Sequence, residues 1–591
     1  MILKTKKHRC FRMKLKKMTL VALFPFFFIL MNLFSSTSTE PKPLSPDEWI
    51  EDLHYMVKQL KEKHRNLYHT VDKEEFEAAV HEMEQKIPFL NEHEIIVWLA
   101  RIVGMIRDGH TRLTLPVNHN HLGFYQGHST DSPPSARIMM FHTLPVRFYM
   151  YSDGLYIRSS TREYLNILGE RVIEIGNTPV DEALESMRPF LAVENESGFK
   201  LVAPTRLAIP EILNIAGISE DILKTRLVTQ NDRGELKKVF LLSLAYEEKV
   251  EWLDVLDHRK VQYPLWLKDT KYYFWFKELK NENAVFVKFN RINNSEKETV
   301  AEFAHRLFKL VQDHSLDRII IDLRHNYGGD TSLARSIILG LIRWRHASTP
   351  GHLFVITGRH TFSAAINFAN ELEQYTHITF VGELIGGKPS HYGDARKSQL
   401  PNSNLTLRVS TRYWRAWTGS NERNSVTIDF PVSLSFKEYL SGIDPALESI
   451  LFYKPPKDLG TLLKEADTNG GINSALLIYY RFSTDPITAL KSTEEALNAL
   501  GFKLLKEKRH RYALAIFVLN IERYPRSSNA HFGRGEAFMA IGSVKEAKKA
   551  LKKAIEFNPN NTKAKELLER ISKQRSRKAA LKTLPIISTQ S

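Results

Sequence analysis

Apolar residues in the first part of the chain recur at helical spacing. Ile50, Leu53, Met56, Val57 and Leu60 follow Pro46-Asp47-Glu48-Trp49, a helix start with proline and acids in its first turn. A second stripe runs through Phe76, Val80 and Met83. A third takes in Ile95, Ile96, Leu99, Ile102, Val103 and Ile106, and Asp108-Gly109 reads as its stop signal. The period then changes. Val146–Tyr151, 155–157 and Arg171–Ile175 are short runs of β-branched and aromatic residues, with turns at Asp153-Gly154 and Gly176-Asn177. From 272 to 455 the two periods alternate. Strands are predicted at 284–289, 318–323, 353–357 and 378–381, with helices at 299–314 and 364–375. The run at 318–323 is almost wholly apolar, as in a strand buried on both faces, so the region reads as an α/β layer structure.

The tail repeats itself. Gly501 recurs as Gly535, Ala513 as Ala547 and Pro525 as Pro559, each at a spacing of 34 residues, which is the tetratricopeptide period of paired helices. Two such units are few for independent stability, so helices at 460–490 and 563–574 are expected to cap them or pack against them. A length of 591 residues fits several folding units. The pattern divides it into an export segment (1–36), a helical domain (41–125), a β-rich module (140–245), an α/β core (272–455) and repeats (491–575).

Composition narrows the functional classes. Hydrophobic residues make up 43% and charged residues 25%, which excludes a wholly disordered chain and a multi-span membrane protein. One cysteine excludes an intramolecular disulfide framework and a cysteine-based zinc cluster. The net charge of +16 suggests a nucleic-acid partner until it is mapped. Eight cations lie in residues 1–17, and residues 543–591 carry a net +9. Subtracting both ends leaves the body near −1, so no nucleic-acid partner is expected. The first basic end precedes an apolar run, 18–34, and then Ser35-Ser36-Thr37-Ser38-Thr39. That order describes an export signal, or an uncleaved anchor that would hold the chain at a membrane through residues 18–34. The expected location is periplasm, cell envelope or outside the cell.

Four segments carry candidate chemistry. Asp108-Gly109-His110-Thr111 places a histidine in a tight turn. Asp322-Leu323-Arg324-His325-Asn326-Tyr327-Gly328-Gly329 ends a buried strand in a glycine pair, where backbone N–H groups can approach a ligand. Thr361-Phe362-Ser363-Ala364-Ala365 puts a serine between strand and helix, where the helix's first N–H groups face developing negative charge. Gly386-Gly387-Lys388-Pro389 follows the next strand. Each has a plainer reading: Ser363 as a helix cap, His110 as a turn residue, the glycine pair as an ordinary turn, Lys388 as a solvated charge. His81-Glu82 and His93-Glu94 lack the second histidine of a helical zinc motif, so no metal or other cofactor is implied.

Taken together and in this order, with Val381-Gly382-Glu383 and Asp444-Pro445-Ala446-Leu447, these segments resemble the tail-specific (C-terminal processing) serine peptidases and their tricorn-core branch. The resemblance runs from about residue 46 to 451. It implies a crotonase-like α/β core, often preceded by a PDZ-like module, the place occupied here by 140–245. It implies acyl transfer, with Ser363 as nucleophile and an oxyanion hole from the N–H of Ala364 and one from Gly328 or Gly329. For the base it offers two residues. Lys388 stands 25 residues after the serine, as in the tail-specific branch. His110 matches the tricorn-branch histidine, with Glu422 where its orienting glutamate falls, although Gly109 precedes the histidine rather than serine. Proline follows Lys388, where the lysine branch has glycine, and this favours His110. The expected function is an exported serine peptidase that takes a peptide or protein substrate and contacts a protein partner through its repeats. The alternative is a non-catalytic binding protein on the same fold.

Overall fold

The computed structural model describes residues 42–123, 134–416, 423–454, 458–484 and 492–582. The export segment and Glu422 lie outside them. Among the described residues no helix is long and apolar enough to cross a membrane. The chain divides into two compact units, one up to Tyr453 and one from Lys454.

Three helices open the first unit: α1 (Pro46–Lys63), α2 (Lys73–Lys86) and α3 (Glu92–Gly104). In α1 the Ser45 and Glu48 side chains each bond the other's backbone N–H, which supplies acceptors the first turn otherwise lacks. Its buried face carries Trp49, Leu53, Met56, Val57 and Leu60. The exit from α3 differs from expectation. The helix ends at Gly104, Arg107 takes the left-handed conformation (φ 51°), and Gly109 has no positive φ. Gly109 is needed for closeness instead: a Cβ there would lie 2.8 Å from the Phe362 ring.

Residues 146–242 form an antiparallel sheet with strands Val146–Tyr151, Gly154–Ser160, Arg171–Ile175, Lys224–Gln230 and Leu236–Leu242 in spatial order. Between the third and fourth strands the chain inserts helices, including Glu196–Arg206 and Pro210–Ile215, where the sequence reading identified only β-rich character. Their buried residues, such as Phe199, Ala203, Ile212 and Leu213, pack into the same core as α1–α3.

The α/β layer has six strands: β1 (Phe274–Leu279), β2 (Ala284–Phe289), β3 (Arg318–Asp322), β4 (Leu353–Thr357), β5 (Ile378–Gly382) and β6 (Phe430–Pro431). They lie side by side in chain order. β1 pairs antiparallel with β2, and all other neighbours are parallel. Helices α4 (Val300–Asp313), α5 (Arg335–Arg343) and α6 (Ala364–Tyr375) make the crossovers. Alternate strand residues (Val285, Val287, Ile319, Ile321, Val355) form one core with these helices. The intervening set (Ala284, Phe286, Ile320, Phe354, Ile356) forms a second core with helix Pro445–Leu451. Both faces are therefore covered, which is why the strands read as continuous apolar runs.

One exception in β2 is Lys288, fully buried beside its cross-strand neighbour Asp322, with Nζ 3.2 Å from Oδ1. Burial pulls this ammonium down to about 8 against the attraction of Asp322. Arg324 then bridges Asp322 to Asp444, with two 2.8 Å bonds to the latter, and Asp444 caps helix Pro445–Leu451. Two motifs some 120 residues apart thus share one buried charge network.

The second unit is helical: α7 (Leu459–Thr484), α8 (Glu494–Lys506), α9 (His510–Arg523), α10 (Ser528–Ala540), α11 (Val544–Phe557) and α12 (Thr562–Lys582). The repeated positions are packing positions. Gly501 admits the Phe517 ring and Gly535 admits Leu551.

Removing the bridge leaves Asp444 without its bidentate partner. Arg324→Met is expected to destabilise the first unit by about 3–5 kcal/mol, read from its denaturant unfolding transition.

Candidate active site

Ser363 sits between β4 and α6, at the helix N-terminus, with φ 57° and ψ −125°. A non-glycine residue in that conformation stores about 1–3 kcal/mol of strain, which must be held by its surroundings. The plain capping role is absent, since the side chain makes no cap hydrogen bond. The turn is held from beneath. Thr361 Oγ1 donates to the Leu323 carbonyl at 2.9 Å, and the Phe362 N–H donates to the Asn326 carbonyl at 3.0 Å.

Asn326 is fully buried and organises the glycine pair. Its Nδ2 donates to the Phe289 carbonyl at 2.8 Å, and its Oδ1 accepts the Gly328 N–H at 2.9 Å. Gly328 and Gly329 have φ of 99° and 142°. The strip runs against the serine turn so closely that a Cβ on Gly328 would lie 2.8 Å from both Ser363 Cβ and the Ala364 nitrogen. Among the described residues, the N–H groups of Gly329 and Ala364 have no protein acceptor, whereas that of Gly328 is taken by Asn326. Of the two glycine donors expected from the sequence, Gly329 is the unclaimed one.

His110 arrives from the other side of Phe362. Its ring stacks on the Phe362 ring with centroids 4.4 Å apart and on His391 at 5.8 Å. The turn that carries it is built on Asp108, which is 1% exposed. Asp108 accepts the His110 N–H at 2.9 Å, the Thr111 hydroxyl at 2.5 Å and His64 Nε2 at 3.2 Å. The Asn66 N–H bonds His64 Nδ1, so the His64 proton is on Nε2 and points at Asp108. Hydrogen bonds from His64 and Thr111 and the field of His110 hold Asp108 well below the usual carboxylate range despite its burial. Strand pairing fastens the turn to the core: Leu113 pairs with Leu407, and Thr111 Oγ1 accepts the Ser410 N–H at 3.0 Å. The His110 imidazole is pulled down to about 3 by burial, opposed by Asp108. Its Nδ1 is buried, has no hydrogen-bond partner and lies 4.0 Å from Asp108 Oδ1.

The Lys388 loop reaches the same place. Its N–H donates to Glu194 Oε2 at 2.8 Å, and Glu194 Oε1 accepts the Gly109 N–H at 3.3 Å. Asn195 adds three donations, to the carbonyls of Ile385, Gly387 and Asn424. Glu194 is pushed up to about 8, first by burial and then by Asp108. No sequence feature singles out Glu194, because its importance comes from two loops that are distant along the chain.

The structure thus brings Ser363, Ala364, Gly328 and Gly329 together, and places His110 and the Lys388 loop around the adjoining Phe362. Glu422 is outside the described residues. The Ser363 hydroxyl has no hydrogen bond to either candidate base among the described residues. Asp108, His110 and Glu194 each place one potential metal-ligating atom within 4.8 Å of the others. The carboxylate oxygens there are already engaged by N–H and O–H donors.

No family model matches the chain, and no curated protein matches it. Similar solved structures include mature CPAF, at 13% identity over 72% of this chain and 98% of that one, with a TM-score of 0.48. The photosystem II D1 C-terminal processing protease aligns at 12% identity over 69% of this chain and 97% of its own, with a TM-score of 0.32. The first TPR domain of human RPAP3 matches at 21% identity over 21% of this chain and 93% of that chain, with a TM-score of 0.17.

Glu194 gives a stability test with a defined sign. An acid raised from 4.5 to about 8 contributes stability that is complete below about pH 4.5 and is lost as pH rises through 8. Glu194→Gln cannot ionise. Its melting temperature is expected to gain on wild type between pH 5 and 8, with the gap level above that range.

Proposed function

We propose that the chain is a serine-type peptidase of the tail-specific kind, with Ser363 as nucleophile. The observation that carries this reading is the strained Ser363 turn lying against a glycine strip, with the N–H groups of Ala364 and Gly329 unclaimed beside it. Two such donors, fixed before the reaction, suit the oxyanion of a tetrahedral intermediate, and each is worth roughly 3 kcal/mol in the transition state. The six strands in chain order, with their crossover helices, support the crotonase-like core that the resemblance implies. The antiparallel sheet at 146–242 occupies the place of the PDZ-like module.

In this mechanism the Ser363 hydroxyl attacks the peptide carbonyl and gives its proton to a base, which returns it to the leaving amine. His110 is the favoured base. Its depressed pKa keeps it neutral, and so able to accept a proton, across the working range. Lys388 is the competitor, since its loop is tied to the same Glu194. Export through residues 1–36 would deliver the enzyme to substrates outside the cytoplasm, and the helical repeats would bind a protein partner. A second reading, a binding protein on this fold, is favoured by the missing hydrogen bond between Ser363 and a base, although such bonds often tighten only with substrate bound.

A fluorophosphonate probe separates the readings. Wild type is expected to be labelled at Ser363, and Ser363→Ala to lose both labelling and peptide hydrolysis with its melting temperature unchanged. Labelling that survives in Ser363→Ala excludes this nucleophile. His110→Ala is expected to lose at least a hundredfold in rate and Lys388→Ala less than tenfold; the reverse order makes lysine the base.

A further inference from the structure

Arg206 is a cation without an anion. It stands in the last turn of the helix Glu196–Arg206, where a cation can complement the helix dipole and bond the final carbonyls. It makes no such bond: among the described residues its side chain has neither a hydrogen bond nor an ion pair, and its Nε is buried. Other buried arginines of this unit are paired, Arg324 with Asp322 and Asp444 and Arg359 with Glu383. Burial alone pulls Arg206 down to about 10, with no carboxylate opposing it, so it stays charged at neutral pH. A buried charge is costly unless something neutralises it.

Arg206 lines a cavity of approximately 140 Å³, together with Arg112 and His119, and no acid stands among the described lining residues. Arg112 Nη1 donates to the Gly109 carbonyl at 3.1 Å and brings a second positive charge to the wall. Phe190 and Leu113 supply apolar surface, which lowers the local dielectric and strengthens any charge pairing inside. Water there hydrates a guanidinium without neutralising it. The volume is well below the roughly 300–1,000 Å³ of sites for drug-sized ligands, so it suits a charged group with few attached atoms. Gly109 is part of the same wall, so the cavity adjoins the turn that carries His110.

We propose that this cavity is a binding site for a small oxyanion, a carboxylate or a phosphate, which pairs with Arg206 beside the His110 turn. The planar guanidinium offers a fork of N–H donors that matches two oxygens of either group. The charge of Arg112 adds to the attraction, and a neutral ligand of the same shape gains neither term. The proposal concerns binding and holds whether or not Ser363 is a nucleophile.

The experiment is calorimetric binding to the full chain, with inorganic phosphate, N-acetylalanine and N-acetylalanine amide as probes and sodium chloride holding the ionic strength constant. Phosphate or N-acetylalanine is expected to bind wild type saturably at one site, and the amide not to bind. The tighter of the two anions identifies the ligand as phosphate or carboxylate, and either supports the site. Arg206→Met is expected to lose about tenfold or more in affinity. Without ligand it is expected to melt no lower than wild type, because it removes a buried charge that has no partner. Arg206→Lys keeps the charge but not the fork, and is expected to bind with intermediate affinity. The proposal is overturned if neither anion binds wild type saturably. Equal affinity in wild type and Arg206→Met also overturns it and marks an adventitious ion only. So does a melting temperature several degrees lower in unliganded Arg206→Met, which shows that a partner within the chain already satisfies the guanidinium.

Discussion

The first unit depends on one buried carboxylate. Asp108 has essentially no contact with solvent, and a carboxylate buried without partners costs several kcal/mol. The chain meets that requirement with donors from its own turn, His110 and Thr111, and from the end of α1, His64. Satisfying the charge therefore fixes the direction in which the turn leaves the helical region. That direction sets the Arg112–Leu113 strand against 406–409 and lays the His110 ring on Phe362. The helical region is accordingly part of the site. A second acid, Asp52 in α1, repeats the device by accepting the N–H groups of Asn402 and Ser403 at 2.8 and 2.9 Å.

On the other side of Phe362, Asn326 uses all of its polar reach. It draws β2, the glycine pair and the serine turn into one hydrogen-bonded layer. The strain at Ser363 can persist because this layer leaves its neighbours no room to relax. The strain and the glycine pair express the same requirement, that two backbone segments lie closer than side chains permit. Both segments leave the carboxyl ends of neighbouring parallel strands, β3 and β4, where open α/β sheets hold their ligands.

What the sequence made legible follows from where local and global signals agree. The periods of α1–α3 and of β2–β5 were readable because each element's burial has the regularity of its own backbone. The order of the strands was simple because each crossover returns to the adjacent position. The helices at 196–206 and 210–215 were missed inside a region dominated by strand-like runs. Gly109 was read as a helix stop, a local role, whereas Arg107 takes the left-handed turn and Gly109 admits a ring from a residue more than 250 positions away. Ser363, His110 and the glycine pair were singled out as a set through family resemblance more than through their own spacing. Glu194 carried no signal at all, since nothing near it in sequence reports the two loops it joins.

The pairing of Thr111 with Ser410 spans 299 residues. Contacts of that separation form late, because a long loop must close before they contribute. A chain growing on the ribosome carries its serine turn well before the strand that seats His110 has been made. The site consequently has no assembled form in any nascent fragment that stops short of residue 410. Timing is thus written into connectivity: the arrangement around Phe362 is completed only after residue 410 has been made.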